Sequence, residues 1–75
     1  MTRREAERRI QKLEAELAAC EAEEKRLAKQ MLEMNMRRVT PDAKARKRLE
    51  LKAVTEKIND LRLQLWGLRN LNLPG

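Results

Sequence analysis

Apolar residues recur along this chain at alternating steps of four and three, and this spacing leaves few folds open. In the first half, the positions that follow it are Ala6, Ile10, Leu13, Leu17, Cys20, Glu24, Leu27, Met31, Met34 and Arg38. In the second half, they are Leu51, Val54, Ile58, Leu61, Leu65 and Leu68. Such heptad spacing is typical of an α-helix that packs along one stripe against another helix. The sequence therefore predicts two long helices, each of which needs a partner along its seam.

The stretch between the two seams carries the signals of a turn. Thr40 can cap a following helix with its hydroxyl, Pro41 suits the first helical position, and Asp42 favours the positive end of the helix dipole. Pro41 also disfavours helical geometry at Thr40. These signals predict helix 1 over about residues 3–38, a turn at 39–41, helix 2 over about 41–70 and a short C-terminal tail.

A connection this short makes the two helices antiparallel neighbours. Folding the chain about the turn sets Leu27 against Val54 and Leu17 against Leu65, so that apolar residues face apolar residues. The composition agrees, because Ala, Glu, Lys, Leu and Arg dominate it, as they do in coiled coils. We expect an all-α fold with a single domain over residues 1–75: an antiparallel, coiled-coil-like two-helix hairpin.

Two helices that touch along one stripe bury little, and a chain of 75 residues covers only about 60% of its unfolded surface. We therefore expect the hairpin to form a homodimer, as a four-helix bundle. Leu63 and Trp66 fall outside the helix 2 seam and three residues apart, and Leu71 and Leu73 add apolar surface at the same end. Leu63, Trp66 and Leu71 are the predicted partner interface.

Helix 1 has a second stripe of small and apolar residues. Its members are Ala15, Ala18, Ala22 and Leu32. Small residues would let another helix approach closely, but alanine is also the best helix former. Both interpretations stay open.

The formal charge of +6 is concentrated at the turn. Residues 37–52, named the basic tip below, carry seven Lys or Arg against two Asp or Glu, which gives 7 − 2 = +5. The residues predicted to contact an anionic partner or nucleic acid are Arg37, Arg38, Lys44, Arg46, Lys47 and Arg48. The alternative is a solvated helix end whose long side chains snorkel into water.

Two positions leave local alternatives. Glu24 interrupts the seam of helix 1, where it either pairs with Lys57 or Arg62 or stays in water between splayed helices. Gly67 costs about 1 kcal/mol inside a helix. Helix 2 therefore either ends there or continues toward Leu71.

The residue inventory argues against catalysis and bound cofactors. The chain has no His and no Tyr, and its lone Cys20 can form neither an internal disulfide nor a Cys/His zinc site. No segment approaches the length of a signal peptide's apolar region or of a membrane span. We expect a non-enzymatic protein without cofactors or a small-molecule substrate, in a reducing, cytoplasmic setting and away from membranes.

Two functions fit these features. The first is a small protein-interaction module, an adaptor, inhibitor or regulator that presents a rigid helical hairpin to a protein partner. The alternative is a regulatory protein that binds the RNA or DNA backbone through the basic tip. The near absence of aromatic residues, which would stack on single-stranded bases, weighs against the alternative.

Overall fold

The structure, a computed structural model, describes residues 1–71 and is all-helical there, with no strand in that range. Helix α1 spans Arg3–Met36 and helix α2 spans Pro41–Arg69. The two helices run antiparallel in contact with each other, and together they form a rod with dimensions of 58 × 14 × 12 Å. The predicted all-α helical hairpin is confirmed.

Helix α1 begins after Thr2, whose hydroxyl accepts a hydrogen bond of 3.2 Å from the backbone N–H of Glu5. It ends at Met36, two residues before the predicted end near Arg38. The reason is local, because Arg37 adopts extended backbone angles (φ −112°, ψ 160°) and its N–H bonds to the carbonyl of Met34, at 3.3 Å. The chain is therefore already extended before it reaches the residue that precedes Pro41.

Helix α2 begins as predicted. The hydroxyl of Thr40 accepts a hydrogen bond of 3.3 Å from the N–H of Ala43, and Pro41 occupies the first turn, where no donor is missed. The helix continues through Gly67 to Arg69, where Asn70 caps it by donating to the carbonyl of Trp66. Leu73 lies outside the described residues.

The core of the hairpin is thin. Its buried side chains within residues 1–71 are Ala6, Leu27, Ile58, Leu61 and Leu65. Most other seam positions, such as Leu13, Leu17 and Met31, are only half-buried. A single neighbouring helix covers only part of each seam side chain, and no other segment within residues 1–71 packs against the two sides of the seam.

Side-chain hydrogen bonds between the helices agree with the predicted register. The hydroxyl of Thr55 donates to Glu24 at 2.9 Å, and Lys47 donates to Gln30 at 3.0 Å nearer the turn. Glu24 is half-buried. Its side-chain hydrogen-bond partner within residues 1–71 is Thr55, and no salt bridge there joins it to Lys57 or Arg62, so the first of the two predicted alternatives is not observed.

Candidate interaction surfaces

Trp66 and Leu63 form an exposed apolar pair on α2. Each residue is 68% exposed, and they are three residues apart, which makes them neighbours on a helix surface. Trp66 also borders a groove between the helices, which is lined by Leu17, Arg62, Leu65, Trp66, Arg69 and Asn70. An aromatic ring beside a partly apolar groove is a feature of helix-binding surfaces.

Leu71 was predicted to join this pair, but it lies elsewhere. It is 46% exposed and lines a different groove, together with Leu13, Gly67 and Leu68. A further groove that includes Leu71 reaches Ala6 and Ile10 near the start of α1. Leu71 therefore closes the end of the hairpin, and only Leu63 and Trp66 of the predicted set share a surface.

Some side chains of the basic tip are exposed to solvent, whereas others contact residues of the hairpin. Its exposed members are Arg37, Arg38, Arg46 and Arg48. The salt bridges within residues 1–71 are Arg26–Glu23, Lys47–Glu50 and Arg69–Glu14. None of the four arginines has a carboxylate partner there, so their charge is available to an anion.

The two predicted lysines of the tip are partly engaged in the fold. The Nζ atom of Lys47 donates to the side-chain oxygen of Gln30 at 3.0 Å and pairs with Glu50 at 3.2 Å. Lys44 is half-buried and lines a small crevice with Met31 and Met34. Lys47 in particular links α2 to α1 through its hydrogen bond to Gln30. The sequence did not predict this bond.

Trp66 shares one face of the hairpin with residues of α1. Glu14 bonds to Arg69 at 2.7 Å, and Arg69 lines the groove beside Trp66. Leu32 lies eighteen positions after Glu14, which is about five full turns, so it occupies the same side of α1. Leu32 is 62% exposed.

The same eighteen-residue spacing, five full helical turns, identifies residues of this face that lie nearer the tip. Arg48 precedes Trp66 by eighteen positions on α2 and therefore lies in line with it. On α1, Glu21 and Lys25 fall within about 20° of the line from Glu14 to Leu32. These side chains are named the Trp66 face: Glu14, Glu21, Lys25, Leu32, Arg48 and Trp66.

In the sequence, Leu32 continues a stripe of alanines on helix 1, and nothing in that stripe connects it with Trp66. The sequence does not show which side of α1 and which side of α2 lie on the same face of the hairpin. The eighteen-residue spacings are visible in the sequence, but only the contact between Glu14 and Arg69 shows that the two lines lie on the same side of the hairpin.

Within the described part of the chain, no group of three or more Cys, Asp or Glu residues is placed to hold a metal ion. Neither described helix is long and apolar enough to cross a bilayer. The fold and these surfaces define the class as a two-helix hairpin with one mixed apolar and charged face and a basic tip. Comparison with protein-family models, curated proteins and solved structures gives no match to this chain.

Proposed function

We propose that this chain is a non-enzymatic protein-interaction module, an adaptor, inhibitor or regulator, that presents a rigid helical hairpin. Its first partner is a second copy of the same chain, and the two hairpins form a four-helix bundle. Neither a cofactor nor a small-molecule substrate is part of this proposal. The cytoplasmic location suggested by the composition stays a prediction.

The observation that carries the proposal is the exposed apolar surface on one face. Leu63 and Trp66, which are neighbours on α2, are each 68% exposed, and Leu32, 62% exposed, lies on the same side of the rod about 30 Å nearer the turn. Exposed leucines that are scattered singly are ordinary, whereas an aromatic ring aligned with apolar neighbours is typical of an interface. The thin core supports the same proposal, since half-buried seam residues gain burial when a second layer covers them.

The test is the mass of the folded protein in solution. Multi-angle light scattering at micromolar concentration should give twice the chain mass of 8.8 kDa. A cooperative thermal melt of a species with the mass of one chain would contradict the homodimer. The hairpin would then be a monomeric module for a different protein.

The exposed arginines favour one alternative function. Arg37, Arg38, Arg46 and Arg48 lack carboxylate partners within residues 1–71, and a guanidinium group binds phosphate oxygens in a bidentate manner. A regulatory protein that binds the backbone of RNA or DNA would use these four side chains. Such binding would be independent of sequence and sensitive to salt.

A further inference from the structure

We propose that the basic tip enters the major groove of duplex DNA end-on, so that Arg46 and Arg48 contact the phosphates of different strands. This inference rests on the nucleic-acid function proposed for the tip and adds to it the kind of nucleic acid and the way it is bound. It does not depend on self-association, because the exposed pair Leu63 and Trp66 begins 22 positions after Pro41, about 33 Å along α2.

The middle of the rod is acidic. Residues 14–24 contain five Glu and neither Lys nor Arg. Residues 55–69, which lie beside them on α2, carry three Lys or Arg against two Asp or Glu, so the two segments together have a net charge of 3 − 7 = −4. A rod that lay along a duplex would set this segment against phosphates, and like charges at an interface are unfavourable. An approach by one end avoids that contact.

Both ends of the rod are basic, and the tip is the more basic of the two. Residues 37–52 have a net charge of +5, whereas residues 1–12 carry five Lys or Arg against two Glu, which gives 5 − 2 = +3. Phosphate contacts dominate the affinity of proteins for nucleic acid. The tip is therefore the end that we expect to bind.

Arg46 and Arg48 lie on opposite sides of the hairpin. Arg48 lines a crevice with Asn35 of α1. On the other side of the seam, Lys47 donates to Gln30 at 3.0 Å. Arg46 precedes Arg48 by two positions, about 200° around α2, so it lies on the side of the bond between Lys47 and Gln30. Both arginines are exposed, and neither has a carboxylate partner within residues 1–71.

The thickness of the hairpin matches the width of the groove. Two packed helices form a slab that is one helix thick, about 10 to 12 Å with side chains, and the major groove of B-DNA is about 12 Å wide. Arg46 and Arg48 lie on the two broad sides of this slab. Each therefore faces the backbone that forms one wall of the groove, where a guanidinium group binds phosphate oxygens in a bidentate manner.

The depth of the groove agrees with the positions of these residues. Arg46 and Arg48 lie five and seven positions after Pro41, about 8 and 10 Å along α2, and the major groove is about 8.5 Å deep. Both arginines are thus level with the phosphates when the turn reaches the floor of the groove. Arg37 and Arg38 precede α2 and are exposed, so they can reach base edges there, where guanine N7 and O6 accept hydrogen bonds.

Other nucleic acids do not offer this fit. The major groove of an A-form RNA duplex is deep and narrow, and its minor groove is wide and shallow. A single strand has no groove, and the sequence of the basic tip contains no aromatic residue that would stack on its bases. Duplex DNA is therefore the ligand that the dimensions favour.

The ligand is tested with three synthetic probes: a short DNA duplex, an RNA duplex of the same sequence and the single DNA strand. The DNA duplex should bind at least about fivefold more tightly than the other two. Dimethyl sulfate then identifies the groove, because it methylates guanine N7 in the major groove and adenine N3 in the minor groove. Bound protein should lower methylation at N7 and leave methylation at N3 unchanged.

Two single variants test the two walls of the groove. Arg46→Gln and Arg48→Gln should each weaken binding to the DNA duplex by about threefold to tenfold and lower the slope of log affinity against log salt by about one unit. The two effects should add in the double variant, because the arginines contact different strands. Circular dichroism checks that each variant keeps its helicity.

Two matched variants serve as controls. Arg8→Gln removes the same charge near the start of α1, where Arg8 is exposed and has no carboxylate partner within residues 1–71. Lys52→Gln lies one turn beyond Arg48 and eleven positions after Pro41, about 16 Å along α2, which is deeper than the groove. Each control should leave the salt slope within about half a unit of the wild-type value.

The outcomes separate this inference from the nucleic-acid function on which it rests. Absence of binding to all three probes would overturn both. Equal affinity for the three probes, or protection of N3 in place of N7, would overturn insertion into the major groove alone. Weaker binding by Arg48→Gln and Lys52→Gln but not by Arg46→Gln would do the same, because it indicates a rod that lies flat on the duplex. Preference for duplex DNA, protection of N7 and additive losses at Arg46 and Arg48 support the proposal.

Discussion

The hydroxyl of Thr55 donates a hydrogen bond of 2.9 Å to the carboxylate of Glu24, and this bond joins the middle of α1 to the middle of α2. Glu24 occupies a seam position where the heptad spacing calls for an apolar residue. Thr55 lies beside the seam of α2. Its hydroxyl donates to one of the two carboxylate oxygens of Glu24. The pair is a polar link in a core that has few buried side chains.

The first prediction concerns this link. Thr55→Val should lower the free energy of unfolding by about 1 kcal/mol, because it leaves the half-buried carboxylate of Glu24 without its donor. Adding Glu24→Leu should recover that loss or exceed it, since an apolar pair then replaces the polar pair. Chemical denaturation at fixed protein concentration measures both changes. A double variant that is less stable than Thr55→Val would show that Glu24 contributes more than this hydrogen bond.

The second prediction concerns Trp66. Trp66→Ala should weaken association by at least about 2 kcal/mol while leaving helicity largely intact, because the ring is exposed in the single hairpin and would be buried in the proposed dimer. Sedimentation equilibrium gives the affinity and circular dichroism gives the helicity. Leu49→Ala is the matched control, since Leu49 is 67% exposed on α2 but lies away from the Trp66 face. Equal effects of the two variants would remove Trp66 from the interface.

The third prediction concerns Gly67, which lies inside α2. No atom lies within 4 Å of a Cβ placed at this position, so an alanine methyl group would meet open space. Gly67→Ala should therefore stabilise the protein by about 0.5 to 1 kcal/mol and raise Tm by several degrees. Thermal melts at equal protein concentration provide the comparison. A lower Tm would indicate that a second chain approaches the backbone at Gly67.

The fourth prediction tests the alternative function at the basic tip. Changing Arg37, Arg38 and Arg46 to Gln should leave the fold intact, since these side chains are exposed and have no carboxylate partner within residues 1–71. If the tip binds nucleic acid, affinity for duplex DNA or RNA should fall. The slope of log affinity against log salt should also decrease, by up to about one unit for each arginine that no longer binds a phosphate. Lys47 is kept, because its bonds to Gln30 and Glu50 stabilise the hairpin.

The control for this experiment removes the same charge from the other end of the rod. Arg4, Arg8 and Arg9 are exposed near the start of α1, and their change to Gln lowers the net charge equally. Selective loss of binding in the tip variant would support a nucleic-acid site. Equal curves for wild type and both variants would contradict a nucleic-acid site at the tip and favour the solvated helix end.

Local signals in the sequence were sufficient for the two helices, the turn between them and their register. Thr40 and Pro41 act through neighbouring backbone groups, and a heptad seam can face its partner in only one way, so these features needed no three-dimensional information. The end of α1 lies two residues before its predicted position. Arg37 leaves the helix because the approach to the turn is extended, and no side chain marks that position in advance.

Tertiary structure alone decided how the polar and exposed side chains are used. Folding the chain about the turn brings Lys57 and Arg62 within reach of Glu24, but only the placement of α2 around α1 selects the hydroxyl of Thr55. In the same way, Leu71 and Trp66 are near each other along the chain and yet line different grooves. The physical reason is that a long side chain can reach several partners within one helical turn. Which partner it reaches depends on the exact rotation and axial offset of the two helices, and a heptad seam specifies these only coarsely.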